Sequence, residues 1–227
     1  MALPGKPTTG QRRHQVFLVE DHPVTREGFA QLINFQTDLQ VCGQAGTAGQ
    51  AFTEIAALKP DLVIVDISLA GTSGIELIKD LVSRDPILRI LVLSTHDEAL
   101  YAERALRAGA RGYVMKHEAT EHVMTAIRQV LSGRVYLSEL MHNRLLYKVV
   151  GGVSAALASD LGQLSDRELE VFQLIGEGRS TRQIGDSLHL SVSTVETYRA
   201  HLKQKLGLAN ATELVQRAVQ WVHTRNS

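Results

Sequence analysis

The stretch Leu62-Val63-Ile64-Val65-Asp66-Ile67-Ser68-Leu69 decides the fold of the first half of this chain. Four consecutive apolar residues, three of them β-branched, suit a strand buried on both faces of a parallel sheet, and Asp66 then falls at its carboxyl end. Similar runs lie on either side: Val16-Phe17-Leu18-Val19, Leu39-Gln40-Val41-Cys42, Ile90-Leu91-Val92-Leu93 and Gly112-Tyr113-Val114-Met115. Between and after them, helical patterns fall near residues 24–35, 48–58, 74–83, 97–108 and 119–131. Pro23 and Ser73-Gly74 suit helix starts, and Gly109 suits a helix end. Five strand–helix repeats predict a doubly wound, five-stranded parallel α/β sheet of the flavodoxin-like kind, with helices on both faces.

The pattern changes after Leu131. Ser132-Gly133-Arg134 breaks the fifth helix, residues 138–148 have helical character, and Gly151-Gly152-Val153-Ser154-Ala155-Ala156 reads as linker. From Leu164 the chain is helical throughout, without proline. The expected organisation is a disordered leader at 1–14, a sheet domain at 15–132, a partly helical linker at 133–160 and an all-α, four-helix domain at 161–227. A chain of 227 residues accommodates two such domains.

Lys plus Arg and Asp plus Glu both number 24, so net charge names no partner. A basic bulk is missing, and any DNA contact must come from a local face. One cysteine, Cys42, excludes an intrachain disulfide and reads as a small buried hydrophobe. No apolar run approaches the length that spans a bilayer, and the N-terminus lacks the apolar stretch of a secretory signal. The expected setting is the cytoplasm.

The chemistry of the sheet domain gathers at strand ends. Glu20 and Asp21 follow the first strand, Asp66 the third, Ser94 and Thr95 the fourth, and Lys116 the fifth. In a doubly wound sheet these places converge in one crevice. Three carboxylates there need a cation, and hard oxygen ligands suit Mg²⁺, which keeps waters and accepts phosphate oxygens. Lys116 adds a point charge for an anion. Each residue alone is what a helix cap or solvated turn also uses. Their conjunction at successive strand ends points to a phosphoryl group held against a carboxylate nucleophile.

Val19-Glu20-Asp21-His22, Val65-Asp66-Ile67-Ser68-Leu69 with Gly71-Thr72-Ser73-Gly74, Leu93-Ser94-Thr95-His96 and Gly109-Ala110-Arg111-Gly112-Tyr113-Val114-Met115-Lys116 closely resemble the receiver domain of bacterial response regulators. The resemblance implies that Asp66 accepts a phosphoryl group from a sensor histidine kinase. It implies Mg²⁺ on Asp21, Asp66 and the backbone carbonyl of Ser68, with Glu20 helping through water. Ser94 would be the hydroxyl that moves toward the phosphate, preferred over Thr95. Tyr113 would rotate with it, and Lys116 would pair with phosphoryl oxygens. Glu20 stands where Asp is common, Ala70 where proline is usual and His117 where proline is frequent.

In the C-terminal part, Ser165-Asp166-Arg167-Glu168 is a capping box that opens a helix with Leu169, Val171, Phe172 and Ile175 inward. Ser180 caps a short second helix with Ile184 and Leu188, and Ser191 caps a third running to about Leu206. Gly207 stops it, and Asn210 opens a fourth. Two short helices joined by a tight turn suit a helix-turn-helix. On the third helix Val195, Leu202 and Leu206 face inward. Ser193, Glu196, Thr197, Ala200, Lys203 and Gln204 face outward. Glu196 and Thr197 can reach base edges, Glu as acceptor from cytosine. Ser193, Thr194, Arg199, Lys203, Lys205 and Arg179 suit phosphates. On pattern alone a solvated helix of a bundle fits equally well.

Leu164 to Val171, Ile175-Gly176-Glu177-Gly178, Leu190-Ser191, Thr194-Val195-Glu196-Thr197-Tyr198 and Lys205-Leu206-Gly207 resemble the LuxR-type DNA-binding domain. A receiver followed by this domain is similar to response regulators of the NarL/FixJ type. The resemblance implies a transcription regulator that binds double-stranded promoter DNA as a homodimer on activation, with RNA polymerase a further contact. Leu214, Val215, Ala218 and Trp221 would pair the domains, although Trp221 also suits the core. The chain is not expected to be an enzyme beyond catalysing its own phosphorylation and dephosphorylation. A phosphatase using an aspartyl phosphate would need a general acid two residues past Asp66, where Ser68 stands. An unphosphorylated regulator is opposed by the intact acids, Ser94 and Lys116. A dinucleotide site lacks its glycine-rich loop.

Overall fold

The computed structural model describes residues 12–118, 120–149 and 161–225. Contacts divide the chain into two compact units whose main division falls between His142 and Asn143.

As far as Leu131 the chain runs β1 (His14–Val19), α1 (Pro23–Asn34), β2 (Leu39–Ala45), α2 (Ala48–Leu58), β3 (Leu62–Val65), a two-stranded turn of β4 (Ser68–Leu69) and β5 (Thr72–Ser73), α3 (Gly74–Arg84), β6 (Ile90–Ser94), α4 (Glu98–Ala108), β7 (Gly112–Met115) and α5 (Thr120–Leu131). The five main strands form a parallel sheet in the order β2-β1-β3-β6-β7, the doubly wound arrangement expected. Alternate strand residues serve opposite faces. Val16, Leu18, Ile64, Leu91, Leu93 and Val114 pack on one side with Ala30 and Ile33 of α1 and Val123, Ile127 and Val130 of α5. Phe17, Val63, Val65 and Val92 between them are buried too, so both faces of the central strands are covered. Each such side chain contributes about 1.5–3 kcal/mol of burial.

Helix ends follow the sequence signals. Pro23 begins α1, Thr47 caps α2 by accepting from the Gln50 N–H, and Gly109 ends α4 in the left-handed region at φ 110°. Cys42 is only half-buried in β2.

Two boundaries differ from the sequence reading. His14, assigned to the leader, belongs to β1, where its N–H donates to the Asp38 carbonyl at 2.9 Å. The chain past Leu131 does not leave the sheet at once. Tyr136 bridges β7 beside Gly112, exchanging backbone hydrogen bonds with Arg111 and Tyr113, and Leu137 and Met141 are buried. The free edge of β7 offered unpaired backbone groups, which this strap satisfies. Residues 133–142, expected as linker, therefore belong to the first unit. The helix expected at 138–148 is α6 (Glu139–Val149). The glycine-rich linker at 151–156 and the leader through residue 11 lie outside the described residues.

The second unit consists of a short 3-10 turn at Leu161–Gln163 and the four expected helices: α7 (Asp166–Gly176), α8 (Thr181–Leu188), α9 (Val192–Lys205) and α10 (Ala211–Arg225). Ser165 and Ser180 each form a complete capping box, with Glu168 and Gln183 reaching back, and Ser191 caps α9 through the Thr194 N–H. The turn between α8 and α9 holds His189 left-handed at φ 53°. Phe172, Ile175, Ile184, Leu188, Val195, Leu202, Leu214 and Ala218 are buried within this unit. Arg167 anchors the turn: its guanidinium donates to the Leu188 carbonyl at 2.8 Å and pairs with buried Glu170 at 2.6 Å.

Candidate functional site

Strand register builds the crevice. Val19 is level with Val65, Val65 with Val92, and Ser94 with Met115, so the residues that follow these strands meet at one rim. Backbone hydrogen bonds carry the register past the strand ends: the Asp66 N–H donates to the Val19 carbonyl at 2.9 Å and the Lys116 N–H to the Ser94 carbonyl at 2.8 Å. Gly74 lets the loop after Asp66 fold back, because a Cβ there would overlap the Asp66 carbonyl.

The predicted acids and base are brought together. Lys116 Nζ lies 2.8 Å from Asp66 Oδ2 and 2.5 Å from Glu20 Oε2. Asp66 and Glu20 are buried. Asp66 Oδ1 is buried with no hydrogen-bond partner among the described residues. Burial, then the charge of Glu20, pushes the Asp66 carboxyl up to about 6, against the pull of Lys116. Burial works against the Lys116 ammonium, yet the charges and hydrogen bonds of Asp66 and Glu20 together outweigh it and raise the pKa. Asp21 lies beside them, and His22 Nδ1 is 2.7 Å from its Oδ1 and 3.3 Å from Glu20 Oε1. Glu20, Asp21 and His22 bring one ligand atom each within 4.8 Å of one another. A buried orphan carboxylate oxygen next to two further acids is a donor set that a hard divalent cation fits.

Ser94 is fully buried, and its hydroxyl accepts from the His96 N–H at 3.1 Å. Tyr113 is buried as well, with its hydroxyl donating to the His96 carbonyl at 2.6 Å, and burial raises its pKa. Ser68 opens β4, and its hydroxyl pairs with His96 Nε2 at 2.6 Å. His96 thus links Ser68, Ser94 and Tyr113, a role the sequence reading missed. The equal offsets were the available signal: Ser68 stands two residues past Asp66, and His96 two past Ser94, on neighbouring strands. Arg26, also missed, donates to the Glu20 carbonyl at 2.5 Å.

On α9 the split of faces is as expected for most residues. Ser193, Glu196, Thr197, Ala200 and Gln204 are exposed, Val195 and Leu202 fully buried, and Thr194 and Lys203 half-buried. The Thr197 hydroxyl donates to the Ser193 carbonyl at 3.0 Å. Two phosphate assignments meet prior engagements. Lys205 Nζ is 2.6 Å from Glu168 Oε2, and the Arg199 side chain is only 16% exposed, with Nε 3.7 Å from Glu196 Oε1. Arg179 and Arg182, at the start of α8, are exposed; Arg182 had been overlooked.

The pairing residues divide. Leu214 and Ala218 are fully buried, because the i, i+4 stripe of α10 packs on α7, where Gly176 lets the Ala218 carbonyl approach. They are core residues and not a free pairing face. Val215 is 38% exposed, and Trp221 is half-buried with its ring 5.5 Å from that of Phe172.

An acidic crevice holding a lysine at the strand ends of a doubly wound sheet, followed by a helix-turn-helix, is the arrangement of a signal-receiving DNA-binding protein. Residues 16–128 match the response regulator receiver domain, and residues 162–218 match the bacterial regulatory proteins of the luxR family. The chain is 34% identical to the oxygen regulatory protein NreC of Staphylococcus carnosus and 32% identical to that of Staphylococcus aureus, in each case over 91% of this chain and 97% of the relative. Among solved structures it is similar to a LuxR-family two-component response regulator from Aurantimonas sp. SI85-9A1 (32% identity, TM-score 0.57, 61% of this chain and 99% of that one). It is also similar to RcsB of Salmonella enterica serovar Typhimurium bound to promoter rprA with the phosphomimetic BeF3⁻ (25% identity, TM-score 0.58, 90% and 98%). The chain belongs to the two-component response regulators with a LuxR-type DNA-binding domain. Among the described residues no helix is long and apolar enough to cross a membrane.

Proposed function

We propose that this response regulator receives its signal as a phosphoryl group on Asp66, delivered by a sensor histidine kinase in the cytoplasm, and answers by binding promoter DNA as a dimer. The carrying observation is Asp66 itself: one carboxylate oxygen is gripped by Lys116 and the other is buried without a partner among the described residues. Asp21, Asp66 and the Ser68 carbonyl, with Glu20 behind them, would hold Mg²⁺, which neutralises charge on the phosphoryl oxygens. A carboxylate oxygen of Asp66 bonds to phosphorus as the phosphorus–nitrogen bond to the kinase histidine breaks, and that nitrogen keeps the electron pair. Lys116 then exchanges its carboxylate contacts for phosphoryl oxygens. The Ser94 hydroxyl leaves the His96 N–H for the phosphoryl group, and Tyr113 follows from its bond to the His96 carbonyl. These shifts bias the surface of α4, β7 and α5 toward the active population. Later attack by water returns Asp66 and inorganic phosphate, so the domain catalyses its own dephosphorylation.

The DNA-binding unit presents Ser193, Glu196, Thr197 and Ala200 to the major groove, with Arg179, Arg182, Thr194 and Lys203 near phosphates. Pairing through Val215 and the outer edge of Trp221 would let the dimer read two half-sites, and RNA polymerase is the next contact. Intact mass after incubation with Mg²⁺ and a small phosphodonor tests the first step. One added phosphoryl group on the wild type and none on Asp66→Asn is expected; the same mass for both would overturn it. Equal promoter affinity with and without phosphorylation would overturn the coupling.

A further inference from the structure

On the exposed face of α9, Glu196 is held in place before any DNA arrives. Its Oε1 accepts from the Thr181 hydroxyl at 2.8 Å, and Arg199 Nε stands 3.7 Å from the same oxygen. Oε2 has no hydrogen-bond partner among the described residues, and the side chain is 57% exposed. We propose that Glu196 is a specificity-determining residue that selects cytosine in each half-site, and that Thr181 and Arg199 are positioning residues that aim it. This deepens the DNA-binding reading above and rests on it.

Electrostatics restricts what such a residue can do. A carboxylate carried toward a duplex is repelled by the phosphates and weakens sequence-independent binding. It contributes only where it meets a donor on a base edge. A carboxylate accepts and cannot donate. In the major groove guanine offers two acceptors, and thymine an acceptor and a methyl group. Adenine offers a donor flanked by the acceptor N7, and cytosine the N4 amine with no acceptor beside it on that base. Cytosine is therefore the base that offers Oε2 a donor with no acceptor beside it on the same base.

The clamp supplies aim. Thr181 is the first residue of α8, so its hydrogen bond ties the reading residue of α9 to the other helix of the motif. Fixing one oxygen removes rotamer freedom that would otherwise be lost on binding. Arg199 offsets part of the negative charge while staying mostly covered, which explains why a basic residue here is withdrawn from the phosphates.

The test is selection from a random duplex library by the full-length protein with Mg²⁺ and beryllofluoride, at one salt concentration. The wild type should enrich cytosine at one position per half-site. Glu196→Ala should lower discrimination there about tenfold while other positions keep theirs. Glu196→Gln, nearly isosteric, should redirect that position toward adenine, whose N6 and N7 match an amide. Thr181→Val should weaken the cytosine preference several-fold, and Thr181→Ser should restore it. Unchanged preferences in both Glu196 variants, with affinity rising evenly across sequences, would overturn the proposal. A wild type that takes up the phosphomimetic yet enriches no sequence would overturn the DNA-binding reading, and the proposal with it.

Discussion

Lys116 and Asp66 form an ion pair that satisfies only half of the carboxylate: Nζ reaches Oδ2 at 2.8 Å, while Oδ1 stays buried and without a partner among the described residues. The two residues are thus unequal. Lys116 neutralises two buried acids, Glu20 and Asp66, whereas Asp66 is one of two acids around a single base. Lys116→Met should lower the stability of the first unit by about 3 kcal/mol without divalent ions, because it strands buried charge. Asp66→Asn should leave stability unchanged or raise it. Millimolar Mg²⁺ should raise the melting temperature of the wild type and leave Asp66→Asn little changed. Thermal melts in EDTA and in Mg²⁺ decide the matter, and an Asp66→Asn protein less stable than wild type in EDTA would contradict it.

Arg167 joins α7 to the carbonyl end of α8 and balances Glu170, which is fully buried. Arg167→Met should cost about 3–5 kcal/mol and unfold the second unit while phosphorylation of Asp66 continues. The double variant Arg167→Met/Glu170→Leu should recover most of that loss, since it removes the stranded charge. Circular dichroism melts, read beside intact mass, separate the two units.

Neighbours on α10 should behave oppositely. Leu214→Ala opens a cavity in the core and should cost about 2–5 kcal/mol. Val215→Arg should leave the melting temperature within a few degrees yet abolish two-site occupancy on a promoter fragment. Sedimentation of the phosphorylated protein with DNA would reveal the difference. A Val215→Arg protein that still pairs moves the pairing surface elsewhere.

Glu168 gives the second unit an acid limit. Burial raises its pKa, but the hydrogen bond from Lys205 and those at Ser165 prevail and hold it below the ordinary 4.5. A carboxyl lowered on folding adds stability that is complete above its unfolded pKa and disappears as pH falls through the folded one. Lys205 is 39% exposed, so solvent screening limits the pair to about 1 kcal/mol or less. Lys205→Met should therefore be less stable than wild type at pH 7, and the gap should narrow as pH falls below 4.5. A gap that does not narrow as the acid is titrated would assign the loss to packing.

Most of the fold was legible because local signals agreed with the tertiary outcome. β3 and β7 have the predicted limits since runs such as Leu62–Val65 suit only a doubly covered strand. The serine caps at 165, 180 and 191 announced three helices because each hydroxyl acts within its own turn. His14 and Tyr136 were misplaced for one shared reason. Their pairing partners, Asp38 and β7, are distant in sequence, and neither residue carries an apolar pattern of its own.

The sequence by itself determined the order of strands and helices, the acids, hydroxyl and lysine at the strand ends, and the kinship with response regulators. These follow from periodicity and from short motifs, both of which act over a few residues. Tertiary structure alone decided which partner each polar group keeps. It set Lys116 between Glu20 and Asp66, gathered Ser68, Ser94 and Tyr113 on His96, tied the half-exposed Lys205 to Glu168 and covered most of Arg199 beside Glu196. It also assigned Leu214 and Ala218 to the core and left Val215 outside. A side chain's type fixes what it can bond, but the packing of distant segments fixes what lies within about 3 Å of it, and hydrogen-bond and charge energies fall away steeply beyond that range.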